Sequence, residues 1–103
     1  MATHTYELMV ITHGSLDEQA VQNSIERVTS KVAELGGTVD KVDHWGKRQF
    51  AYEIDDMNEG HYTVFDLRMD GSAHDELERQ LRISDEVVRF KMIRPDLRVK
   101  RAS

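Results

Sequence analysis

Residues 6–11 form an apolar run of strand-forming side chains, broken only by Glu7 and ended by His13-Gly14. Apolar positions then recur at Val21, Ile25, Val28, Val32 and Leu35, the spacing of one face of an α-helix. Ser15 and Glu18 ahead of them have the spacing of a capping box, and Gly36-Gly37 behind them is a helix stop. Residues 39–54 read as a long strand bent near Gly46, where a missing side chain permits a bulge. Residues 56–60 have hairpin-loop character, and 61–69 read as a strand pairing antiparallel with the previous one. Ser72 and Asp75 repeat the capping spacing, and Ala73, Leu77 and Leu81 give a second, shorter amphipathic helix. Residues 87–93 make the last strand, which Pro95 closes because proline cannot donate to a ladder and holds Arg94 extended.

The order β-α-β-β-α-β, with right-handed crossovers, predicts an α+β fold of the split βαβ, or ferredoxin-like, kind. Its four-stranded antiparallel sheet carries both helices on one face and leaves the other open. Alternation assigns Thr63, Phe65, Leu67 and Met69 to one side of the third strand, and Tyr62, Val64, Asp66 and Arg68 to the other. In the last strand Val88, Phe90 and Met92 oppose Val87, Arg89, Lys91 and Ile93, and the more apolar set is expected to meet the helices. The first strand offers Leu8 and Val10 to one side, Met9 and Ile11 to the other. An open face that is partly apolar and partly charged can dock a partner or RNA.

A length of 103 residues predicts one domain, over 1–98, followed by a flexible basic tail at 99–103. The absence of cysteine removes disulfides and thiolate chemistry and fits a reducing compartment. The first residues lack the basic and apolar regions of a secretory signal, and no apolar run is long enough to cross a bilayer, so a cytoplasmic location is expected. The formal charge of −5 conceals a segregation. Residues 89–103 carry six basic side chains against one acidic, and the rest carry eight against eighteen. A polyanion responds to such a local basic stretch as well as to the molecular total.

Catalytic and metal chemistry find little support in the residues. His4, His13, His44, His61 and His74 show no metal-ligand spacing, and His61 is expected at a half-buried or hairpin-edge position. Asp55, Asp56 and Glu59 read as a solvated hairpin tip, lacking the spacing of a calcium loop. No serine stands in a G-x-S-x-G frame, and Gly36-Gly37 follows a helix where a phosphate-cradling loop would precede one. No enzyme, metal or cofactor is therefore expected. Nucleic-acid binding fares better, because residues 45–52, Trp-Gly-Lys-Arg-Gln-Phe-Ala-Tyr, interleave aromatic and basic side chains. Lys47 and Arg48 suit phosphates, and the aromatics suit either packing or stacking on bases. The third strand lacks the aromatic signature of the common RNA-recognition module, which favours contact with RNA at the ends and edges of the sheet.

These residues carry a resemblance. Gly46-Lys47-Arg48 followed by Ala51-Tyr52-Glu53-Ile54, with the L-R-x-x-x-x-V-x-R-x-K ending, resembles the bacterial small-subunit ribosomal protein numbered six. The likeness covers nearly the whole chain; Phe50 stands where leucine is usual and Gln49 is an additional polar step. It implies an architectural, non-catalytic domain that binds the central domain of small-subunit ribosomal RNA beside ribosomal protein eighteen. Lys47, Arg48, Arg89, Lys91 and Arg94 are then the expected RNA-side groups, joined by Arg98, Lys100 and Arg101 of the tail. Trp45, Tyr62 and Val64 on the open sheet are the expected partner-side groups. This reading expects the cations to gather at one end of the domain. The alternative, a small ligand-binding or enzymatic homo-oligomer of the same fold, needs a concave polar pocket between subunits, preferably with His61 and Asp66 converging.

Overall fold

Six elements alternate in the predicted order: β1 (Thr3–His13), α1 (Glu18–Glu34), β2 (Thr38–Ile54), β3 (Met57–Asp70), α2 (Gly71–Ile83) and β4 (Val87–Ile93). They are seen in a computed structural model that describes residues 3–54 and 57–94. The strands form one antiparallel sheet in the order β2-β3-β1-β4, which places β3 and β1 at the centre and β2 and β4 at the edges. Both helices lie on one face. Val21, Ile25, Val28 and Val32 of α1 and Ala73, Leu77 and Leu81 of α2 close over Leu8, Val10, Phe65, Leu67 and Met69. Leu8, Leu67 and Val32 are completely buried.

The helices start on aspartates rather than on the two serines. Leu16 N–H donates to the His13 carbonyl at 3.2 Å, so the chain turns here before α1 begins. Asp17 then caps α1, its Oδ1 accepting the Ala20 N–H at 2.8 Å. Asp70 caps α2 in the same way, accepting from the Ala73 N–H and the Ser72 hydroxyl, both at 2.9 Å. An aspartate satisfies an orphan N–H as well as serine does and adds a negative charge at the positive end of the helix. At the other end of α1, Gly36 N–H reaches Ala33 O at 3.0 Å and Gly37 N–H reaches Val32 O at 2.9 Å. With Gly36 at φ 83 this is a Schellman stop, as the glycine pair predicts.

Two strand expectations are corrected. Met57 pairs with Ile54 and Gly60 pairs with both Arg48 and His13, so most of the expected hairpin loop is strand. Asn58 and Gly60 are turn formers by type, and cross-strand pairing overrides that preference. Asp55 and Asp56 lie outside the described residues, whereas Glu59 stands in β3 opposite Gln49. In β4, Val87 packs on the core beside Phe90 and Met92. The ladder steps from Ile11↔Arg89 to Thr12↔Val87, which leaves Val88 as the extra residue of a bulge and reverses the parity before it.

On the solvent side of α2, Arg79 grips Glu76 at 2.7 Å and Gln80 Nε2 adds 2.9 Å. Hydrogen bonds from Arg79, then Gln80, hold the Glu76 carboxyl down at about 2 from an ordinary 4.5. A depressed carboxylate stabilises the fold above its unfolded value and loses that contribution as pH falls through the folded one. Glu76→Gln is therefore expected to unfold more readily than the parent at neutral pH, and the gap should close between pH 4.5 and 2. Thermal melts across that range check this, and added salt should narrow the gap, because the pair is exposed.

Candidate nucleic-acid and partner interface

The face of the sheet opposite the helices gathers the side chains of interest. Strand parity puts Tyr62, Val64 and Asp66 of β3, Glu7 and Met9 of β1, and Arg89, Lys91 and Ile93 of β4 on this side. Arg89 lies opposite Ile11 and Lys91 opposite Met9 on an edge strand, two residues apart, which spaces them by about 7 Å. Both are exposed, and among the described residues neither enters an ion pair. Arg94 follows directly at the end of β4 and is half-buried. Arg98, Lys100 and Arg101 lie outside the described residues.

Lys47 and Arg48 sit on β2, the opposite edge. The expected single group of cations is therefore divided in two, because β3 and β1 intervene and three strand spacings amount to about 14 Å. The division has a plain cause: in this fold the second and fourth strands are the two edges. Lys47 Nζ lies 3.7 Å from Glu59 Oε2, so one of its own carboxylates partly offsets it. The Arg48 guanidinium lies 5.8 Å from the centre of the Trp45 ring.

The three residues expected on the partner side lie together on the open face. Trp45 and Tyr62 are stacked, with centroids 6.3 Å apart and planes within 4°. Phe50 leans on Tyr62 at 6.2 Å, and Val64 is the next residue of β3 on the same face. Asp43 Oδ2 accepts the indole N–H at 3.2 Å. Beside this cluster a shallow depression of about 160 Å³ is lined by Glu7, Met9, Val64, Lys91 and Ile93. Alternation in the first and last strands already points Met9 and Ile93 to this side. Asp43, by contrast, carries no signal in the sequence for its hold on Trp45.

The convergence of His61 and Asp66 does not occur. Asp66 faces the open side, while His61 is 7 % exposed beneath the helices and its Nε2 bonds the Leu16 carbonyl at 3.1 Å. It is a buried strap on the β1–α1 turn, more enclosed than its expected half-buried position. His74, Asp75 and Glu78 lie within 4.8 Å of one another on α2, where His74 stacks on Tyr6 at 4.8 Å. No helix among the described residues is long and apolar enough to cross a membrane.

The chain is a split βαβ domain with aromatic side chains on its open face and two exposed cations on an edge strand. Comparison with known proteins makes this specific. The profile described as ribosomal protein S6 matches residues 5–94. The chain is 47% identical over 93 residues to small ribosomal subunit protein bS6 of Salinispora arenicola, covering 90% of this chain and 97% of that one. The corresponding protein of Carboxydothermus hydrogenoformans is 46% identical, covering 88% and 95%. The crystal structure of 30S ribosomal protein S6 from Thermotoga maritima superposes with a TM-score of 0.87 at 39% identity, covering 98% of this chain and 96% of that one. The chain belongs to the ribosomal protein S6 family, a structural and non-enzymatic constituent of the bacterial small ribosomal subunit in the cytoplasm.

Proposed function

We propose that this chain binds the central domain of small-subunit ribosomal RNA and does so beside ribosomal protein eighteen. The observation that carries the RNA half is the β4 edge, where Arg89 and Lys91 stand exposed and side by side, leading into Arg94 and the basic tail. Phosphates are drawn to such a row because each neutralised phosphate releases counterions. Arg48 offers a second contact from the far edge, and Lys47 joins only by exchanging Glu59 for a phosphate. The tail residues Arg98, Lys100 and Arg101, which follow in the sequence, add further positive charge. Five or six such contacts give log K against log salt a slope of about −5 for a duplex.

The protein half rests on the open face, where Trp45, Tyr62 and Val64 cluster beside the apolar depression. A basic ribosomal neighbour meets carboxylates there, and the phosphates meet the β4 edge, so opposed potentials orient the domain between them. Fractionating a lysate of the source cells on a sucrose gradient tests the reading. The chain should migrate with the small subunit and remain with it in moderate salt; migration with free protein would refute it.

A further inference from the structure

Trp45 owes its position to an irregularity in the backbone. Pairing between β2 and β3 steps from His44↔Thr63 to Gly46↔Tyr62, which makes Trp45 the additional residue of a bulge. Gly46 at φ 93 supplies a backbone conformation that other residues adopt at a cost. Bulges bend a strand and re-aim a side chain. The result here is an indole that is 43% exposed on the open face, stacked on Tyr62, with its N–H fixed by Asp43 and Arg48 seated near its ring. Tryptophan, tyrosine and arginine are the residue types that dominate interface energies. This set is already ordered, so a partner loses little rotamer freedom by meeting it.

We infer that Trp45 is the energetic anchor of the protein interface on the open face: a pre-aimed indole that a basic protein segment covers with an apolar stem while its cation meets Asp43. This rests on the reading of the open face as the partner surface. Charge favours a basic protein over RNA at this spot. Asp43 stands opposite Val64, and Glu7 stands opposite Asp66 across the two central strands, so carboxylates border the apolar patch on the β2 side and at the centre. Of the cations there, Arg68 is held by Asp40 at 2.8 Å, and Lys41 stands in register with Asp66, an acidic neighbour across the strands. Arg48 is seated beside the indole. A nucleotide stacked on Trp45 would bring its phosphate towards Asp43, whereas Arg89 and Lys91, exposed and outside any ion pair among the described residues, lie across the sheet on β4.

Trp45 is the chain's one tryptophan, so its fluorescence reports on this site alone. The full chain should be titrated with purified ribosomal protein eighteen, and separately with a transcribed fragment of the ribosomal RNA, while acrylamide quenching is followed. The protein should shield the indole from acrylamide, and the RNA alone should not. Calorimetry should show Trp45→Ala losing about thirty-fold in affinity for the protein, the scale of an interface hot spot. Trp45→Phe should lose less, and it replaces the alanine variant if that variant melts early. Shielding by RNA alone would make Trp45 a base-stacking residue and overturn the inference. A complex in which Trp45 remains quenchable, or in which Trp45→Ala binds at parental affinity, would also overturn it, leaving Tyr62 and Val64 to carry the face. No complex with the parent chain would remove the open-face reading itself.

Discussion

Replacing Phe65 with alanine is expected to lower the unfolding free energy by about 3–5 kcal/mol. Phe65 is 1% exposed at the middle of β3, pointing into the layer that Val10, Val21, Ile25 and Val28 also fill. Removing the ring forfeits its transfer out of water and leaves a void that a close-packed interior closes only in part. A domain of this size has about 5–15 kcal/mol in total, so the loss is a large share of it. Val64, its neighbour in sequence, points to the open face and is half-buried. Val64→Ala should cost no more than about 1 kcal/mol. Urea unfolding of both variants checks the pair, and equal losses would mean that the two faces of the sheet have been misassigned.

The second large effect concerns affinity. Arg89→Gln with Lys91→Gln is expected to leave the melting temperature near that of the parent and to weaken RNA binding at least about tenfold at moderate salt. Both side chains are exposed and outside the core, and among the described residues neither is in an ion pair whose loss would disturb the fold. Each phosphate contact contributes about one unit to the salt slope, so the double variant should lose about two. Arg79, tied to Glu76 on the helix side, is the control: Arg79→Gln should change neither the RNA affinity nor the salt slope.

Much of this was legible because the sheet is buried on one side only. Alternation along 61–69 separates Phe65 and Leu67 from Tyr62 and Val64, and the coordinates separate them in the same way. The 3.6-residue periodicity likewise marks the stripe from Val21 to Val32 that α1 buries. What the sequence hid were features decided by competition or by distance. Ser15 and Asp17 are comparable caps, and the turn at Leu16 settles the contest for the aspartate. The bulge at Val88 reverses a parity that alternation assumes to be unbroken, so Val87 appears on the wrong side in the sequence. The cations at 47–48 and 89–91 look like one functional set in the sequence, yet strand order sends them to opposite edges. The positions within each group were legible, while the gap between the groups required the topology. The hold of Asp43 on Trp45 depends on where a bulge sends the indole, which residue types alone do not specify.

The most direct trial of the whole reading is the salt dependence of binding to a transcribed central-domain fragment of small-subunit ribosomal RNA, for the parent chain and for the β4-edge double variant side by side. A slope shallower by about two in the variant, with its unfolding midpoint unchanged, is the expected result. Superimposable lines would mean that phosphates never touch that strand, and the electrostatic basis of the RNA assignment would be lost.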